Sequence, residues 1–407
     1  LLNDAVVKAE ADYDFNLFDH YMIYHAGAGE ETDLNNQYPD DIWSVYIEGI
    51  TGISADGKDI VNATFVPEYE NHGFDAFGVI CHEYGHQLGL PDLYRTDTGD
   101  FESGVGKWSL MDYGIYLGVP PGENPAHLDA WCKLQLEVIS PQTMSSDTDT
   151  MSFSLSPAET AVGGLGSKSN AFLRLPILTA DNPQDEYLLL EYRLKGAEYY
   201  DEYIPASGLL IWRVDDGVGS FELNNVNNNP ARRRLDLIEQ DGKDTSVDYG
   251  NPANVFADGN TFSDVLYPQA KAYNGTASGI GIFNIAGRGD PAMSFTVSRI
   301  LAADNVSFVK INNYPNPAVG GDTTFVFRTT KPPSKMAFDI YNIAGEKVRS
   351  VNANEITMDA GSANYDWVFK YRWDGRNGNG AKVAPGVYLY RVKMDNKIKT
   401  GKLAVIK

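Results

Sequence analysis

The 407 residues include only two cysteines, six histidines and 33 lysines plus arginines, and each scarcity excludes something. Cys81 and Cys132 can form at most one disulfide, so the chain is not a disulfide-stapled scaffold and must rest on apolar cores. Sequence leaves open whether they pair or stay as two buried thiols. Against the basic residues stand 55 acidic ones, giving a net charge of -22 and a pI near 4.6. Such a surface repels nucleic acid and anionic lipid, while its carboxylates offer the hard oxygens that calcium prefers. No apolar run approaches the ~18 to 20 residues of a membrane-spanning helix, and no N-terminal segment pairs a basic with an apolar region as a secretory leader does. The opening LLNDAVVKAEADYDF reads as the middle of a helix. A leader, a propeptide and a first strand are therefore expected to have preceded it.

Chemistry is concentrated in residues 81 to 92, CHEYGHQLGLPD. On a helix, His82 and His86 lie one turn apart on one face and can reach a single zinc ion at about 2.0 to 2.1 Å. Glu83 is rotated by roughly 100° from them, so it can sit beside the metal and take a proton from bound water without being a ligand. Gly89 suits a helix end that reverses the chain and brings Asp92 back as third ligand, leaving the fourth position open as a catalytic site requires. Phe77, Ile80, Cys81, Tyr84 and Leu88 have the spacing of a buried stripe opposite the histidines. Residues 109 to 114, SLMDYG, resemble the methionine turn beneath the metal of metzincin peptidases. Met111 then forms the floor of the site. Tyr113 either offers a phenol to the zinc or the developing oxyanion, or simply packs in the turn.

The length predicts two to three domains. Residues 1 to 140 alternate strand-like and helical patterns (YMIYHAG and DIWSVYIEG before the metal helix), an α+β or α/β unit expected to be the peptidase domain. Ser140-Pro141 and the polar run after it mark a boundary. Residues 141 to 303 turn into short β runs such as EYLLLEYRL and GLLIWRVDD, the spacing of a β-sandwich. A linker at residues 302 to 305 leads to a last all-β unit, residues 304 to 407. Asp215-Asp216 and the run Asp241, Asp244, Asp248 read either as calcium ligands or as solvated acidic loops. Arg232-Arg233-Arg234 is expected to pair with local carboxylates.

Taken with His25-Ala26-Gly27, His82 through Tyr94 and Ser109 through Gly114, residues from about 5 to 295 resemble the immune inhibitor A-like secreted zinc metallopeptidases. That resemblance implies an extracellular endopeptidase using zinc, commonly with structural calcium, made as a zymogen. Two departures stand out. The chain runs from Phe15 through Asp19 straight into His20-Tyr21, where the family often has an acidic, glycine-containing loop, and it has Arg213 where the family often has histidine. From about Val306, the segments NYPNPA, IYNIAGEKVRS and WDGRNGNGAKVAPGVYLYRV resemble immunoglobulin-like modules of the flagellar hook-capping type and, equally, the C-terminal sorting domains of type IX secretion. The sorting resemblance implies a partner in the outer-membrane secretion machinery; the other implies only an accessory module.

The expected fold is thus multidomain α+β: a metzincin-like domain, a β-sandwich and an immunoglobulin-like sandwich. The expected function is hydrolysis of peptide bonds in extracellular proteins, with Glu83 as general base and a location outside the cell. The reading from another class is a catalytically silent adhesion protein built on a peptidase-like domain. An intact base beside the metal argues against it, since a binding module has no use for one.

Overall fold

The central strand of the N-terminal sheet is one that the sequence pattern hides. Asn62–Glu70 (β3) lies between Met22–Gly29 (β1), to which it runs parallel, and Val45–Glu48 (β2), to which it runs antiparallel. Five consecutive residues of β3, Ala63 to Pro67, are buried, so the period-2 alternation that betrays a half-buried strand is missing. In the computed structural model these elements belong to a chain described over residues 1–33, 37–98, 102–144, 150–160, 168–177, 186–196, 200–263, 266–299, 308–329, 335–359, 367–394 and 397–407. The linker expected at 302 to 305 lies outside the described residues.

Helix α1 (Leu2–Ala9) buries Leu2 and Val6 in a small core with Ala63 and Phe65 of β3. Helix α2 (Phe77–Gln87) starts where the Asp75 carboxylate accepts the N–H of Phe77 at 2.8 Å. It ends at Gly89, whose φ of +94° lets Leu90 N–H turn back to Gly85 O at 3.0 Å. The expected apolar stripe on this helix is a correction: Phe77, Tyr84 and Leu88 are each about two-fifths exposed. The buried face carries Gly78, Val79, His82, Glu83 and Gly85 instead. Close approach is the reason. A Cβ on Gly78 would stand 2.0 Å from the carbonyl oxygen of Ile115, and one on Gly85 2.6 Å from Met111 Sδ. Two glycines thus let the helix backbone seat directly on the 109–116 segment, where bulky side chains could not fit.

Beyond α3 (Ala130–Gln135) the described chain is almost entirely β. A five-stranded sheet has the order Leu235–Leu237, Gly208–Asp215, Glu186–Arg193, Lys168–Pro176, Ser140–Thr143. Its two central strands are buried along their whole length, and alternation distributes their side chains between two cores. Leu188, Leu190, Leu209 and Ile211 face a core shared with the four-stranded sheet that contains Ile280–Ala286 and Met293–Arg299. Leu189, Leu210, Trp212 and Val214 join Leu90, Leu93, Trp108, Met111 and Trp131 in the second core. The floor beneath α2 therefore packs on the five-stranded sheet. Two further sheets, of four and five strands, make up the C-terminal part. The molecule is multidomain and β-rich with few helices.

Cys81 and Cys132 are both free thiols, and burial pushes both up from the ordinary thiol range. The arginine run pairs as expected: Arg232 with Asp215, and Arg233 with Asp236 and Asp244. Asp248 accepts the Gly250 N–H at 2.9 Å. These carboxylates thus have protein partners.

Candidate metal centre

Helix geometry and the Gly89 reversal bring three atoms together. His82 Nε2 and His86 Nε2 are 3.1 Å apart, and Asp92 Oδ1 lies 3.1 Å from the first and 3.2 Å from the second. Donors about 2.0 to 2.1 Å from a tetrahedral zinc stand roughly 3.3 Å from one another, so this near-equilateral triangle fits one face of such a site. The second ring nitrogens fix the tautomers. Nδ1 of His82 meets Leu110 O at 3.0 Å and Nδ1 of His86 meets Leu90 O at 2.8 Å. A carbonyl only accepts, so each Nδ1 carries a hydrogen, and in its neutral form each ring turns an Nε2 lone pair inward. Asp92 Oδ1 is buried without a hydrogen-bond partner.

Electron-rich atoms facing one another in a largely buried pocket attract a cation, and the proton affinities register the same field. Burial alone pushes His82 down, but the Asp92 carboxylate 3.1 Å away overrules it and carries its pKa up to about 9. Burial likewise opposes ionisation of Asp92, yet the close approach of His82 and His86 holds it far below the carboxylate range. The donor set fits zinc.

Glu83 is buried, and its carboxylate accepts the backbone N–H of Tyr46 on β2. Burial raises its pKa, partly opposed by the two histidines. An oxygen of Glu83 lies within 4.8 Å of a ring nitrogen of each histidine. Asp92 lies closer to both and completes the triangle, whereas Glu83 stands at its edge. Two cavities meet there. One, of about 500 Å³, is bordered by Trp43, Tyr46, Glu83, His86, Asp92 and Asn224. The other, of about 340 Å³, is bordered by His82, Glu83, Tyr94, Tyr113, Ile115 and Tyr116 among others. Met111 is fully buried under α2, with its sulfur against Gly85. Tyr113 borders the second cavity beside Glu83. Its ring centroid is 4.3 Å from that of Tyr249, and its hydroxyl hydrogen-bonds that residue.

Two neighbours of Asp92 escaped the sequence reading. Tyr94 stacks on His82 with ring centroids 6.2 Å apart, and its phenol, kept protonated by burial and by the Asp92 charge, donates to Asp92. Tyr94 sits in the motif string but carries no metal-ligating chemistry to flag it. Asn224 accepts the Asp92 N–H at 2.8 Å and donates from Nδ2 to Asp92 Oδ2 at 2.5 Å. It lies 132 residues away, so no local pattern could reveal it.

An acidic pair borders the same region. Glu70 is 4% exposed; its Oε2 accepts Thr32 Oγ1 at 2.7 Å, while its Oε1 has no partner. Burial, with Glu31 and Asp41 nearby, pushes its pKa up to about 7. The folded state thus binds a proton that the unfolded chain releases near 4.5, and stability should fall as pH rises from about 4.5 to 7. On the order of 1–3 kcal/mol is at stake, at ~1.4 kcal/mol per pKa unit before screening. Thermal melts between pH 4.5 and 8 should show a flatter profile for Glu70→Gln; an unchanged slope would remove Glu70 as its source.

Comparison with known proteins bears on the site. Residues 9–138 match the family model described as immune inhibitor A peptidase M6, catalytic domain, and residues 316–397 match the FlgD Ig-like domain. The chain is 32% identical over 153 residues to the pre-pro-metalloprotease PrtV of Vibrio cholerae, covering 33% of this chain and 17% of PrtV. It is 36% identical over 119 residues to immune inhibitor A of Bacillus thuringiensis subsp. alesti, covering 27% of this chain and 17% of that protein. The matched segments thus span about a sixth of each relative's length. Among solved structures, PorZ, a surface component of the type-IX secretion system of Porphyromonas gingivalis, aligns at a TM-score of 0.20 and 18% identity over 32% of this chain and 15% of PorZ. On the two domain matches, the chain carries an immune inhibitor A peptidase M6 catalytic domain and a FlgD Ig-like domain.

Proposed function

We propose that this chain is a secreted zinc endopeptidase that hydrolyses peptide bonds of extracellular proteins, with His82, His86 and Asp92 holding the metal in a metzincin-like arrangement. One observation carries the reading: three inward-facing donor atoms form a triangle of zinc dimensions with Glu83 at its edge, where two cavities open. Zinc bound there supplies Lewis acidity that brings the pKa of a coordinated water to about 7. Glu83, fixed by the Tyr46 N–H, would take a proton from the water that attacks the peptide carbonyl and return it to the leaving amine. Tyr113 borders the cavity as the candidate donor to the developing oxyanion. The proposed division is a catalytic domain at 1–140, a β-sandwich at 141–303 and an immunoglobulin-like module at 304–407 that serves export or surface attachment. This last role would engage the outer-membrane secretion machinery.

The test is hydrolysis of denatured casein or gelatin by the purified chain, with zinc content measured on the same samples. Activity should vanish on removal of zinc with 1,10-phenanthroline and return when zinc is added back. A zinc-replete chain that cleaves nothing would favour the adhesion reading. Cleavage indifferent to the chelator would discard the zinc mechanism.

A further inference from the structure

Asp92 can serve a metal only through Oδ1, and what turns that oxygen inward comes from the β-rich part of the chain. Its backbone N–H and its Oδ2 are both engaged by one side chain: Asn224 accepts the Asp92 N–H at 2.8 Å and donates to Asp92 Oδ2 at 2.5 Å. The phenol of Tyr94 also reaches this carboxylate. The loop bearing Asn224 is itself pinned to the segment after Asp92. Asn228 Oδ1 accepts Thr96 N–H at 2.8 Å, Thr96 Oγ1 donates to Asn224 O at 2.6 Å, and the buried Asn227 donates to Leu93 O at 2.9 Å. Asn227 also bonds Leu235, at the edge of the five-stranded sheet, through N–H and carbonyl at 3.1 and 3.0 Å.

We infer that Asn224 is a positioning residue for the metal: its two hydrogen bonds lock the Asp92 carboxylate with Oδ1 toward His82 and His86. The peptidase-type domain at residues 9–138 therefore does not complete its own centre, because the orientation of the third donor is supplied from the neighbouring sheet. A lone carboxylate at Asp92 has two equivalent oxygens and a free χ2 rotation. Tying Oδ2 to an amide removes that freedom and leaves one oxygen, unpartnered and buried, for the cation.

This inference rests on the reading of Asp92 as a ligand, so the experiment separates the two. Asn224 has a φ of +46°, a left-handed conformation in which alanine would be strained. Asn224→Gly removes the amide without that penalty. The full chain, its N224G, N228A and D92A variants, is stripped of metal, checked for an apo melting point close to the parent's, and titrated with zinc against a chromophoric chelator. N224G should bind zinc about 10- to 100-fold more weakly, the usual loss when the outer partner of a ligand is removed. Its cobalt-loaded form should show an altered d–d spectrum. N228A, which cuts a loop anchor without touching Asp92, should stay close to the parent in both. N224G within about twofold of the parent, or N228A as weak as N224G, would overturn the positioning role while leaving Asp92 a ligand. Unchanged affinity in D92A would instead overturn the ligand reading itself, and this inference with it.

Discussion

Replacing Glu83 with glutamine should leave zinc bound and lower kcat by roughly 10²- to 10⁴-fold, the range that a positioned general base contributes. Glutamine has the shape of glutamate and can still accept the Tyr46 N–H through its amide oxygen. What it cannot do at working pH is take a proton. Two features make Glu83 suited to the task. Burial raises its pKa from the ordinary glutamate range, bringing its basicity closer to what proton transfer near neutral pH needs. It also stands at the edge of the donor triangle rather than within it, because Asp92 Oδ1 already lies 3.1 and 3.2 Å from the two Nε2 atoms. The check is kcat on a quenched peptide with zinc quantified in the same samples. Parental turnover in a zinc-loaded variant would dismiss the base assignment, whereas loss of zinc from it would make Glu83 a ligand.

Residue spacing explains why some of this was legible in the sequence and some was not. His82, His86 and Asp92 lie within eleven residues, so helix periodicity and a single glycine reversal suffice to bring their donor atoms together; local geometry is what sequence encodes directly. The strands EYLLLEYRL and GLLIWRVDD were recognisable for the same reason, as apolar runs bounded by turn residues. The face that α2 buries was not. Its packing depends on Gly78 and Gly85 lying against Ile115 and Met111, contacts between segments whose proximity no periodicity announces, so by spacing alone the stripe of bulky apolar residues looks like the core face. Strand β3 was missed because it is buried along its middle on both faces and lacks alternation. Asn224 was invisible because its partner is 132 residues distant and asparagine in an asparagine-rich loop reads as turn chemistry.

Asp112→Ala should destabilise the chain by about 3–5 kcal/mol, more than any conservative change in the cleft, through a residue that touches neither metal nor substrate in the proposed mechanism. The Asp112 side chain is fully buried. Its Oδ2 accepts the N–H groups of Gly104, Val105 and Gly106 at 2.8, 2.7 and 3.0 Å and the Ser103 hydroxyl at 3.1 Å, while Oδ1 accepts the Tyr113 N–H at 2.8 Å. One carboxylate thus organises two stretches of chain that would otherwise bury unpaired donors. Alanine would strand four amides and a hydroxyl, each costing on the order of 1–3 kcal/mol if water cannot enter, and partial rehydration should bring the total into the stated range. The damage should reach the centre through short connections: Met111 and Leu110 precede Asp112, and Leu110 O is the acceptor that sets the His82 tautomer. The expected result is therefore a lower urea midpoint together with weaker zinc binding. The Asp112→Asn variant should fall between alanine and parent, because its amide keeps only one accepting oxygen. Unfolding midpoints within experimental error of the parent for the alanine variant would mean that water or neighbouring groups satisfy those donors, and that the turn is held by Met111 and Trp108 packing instead.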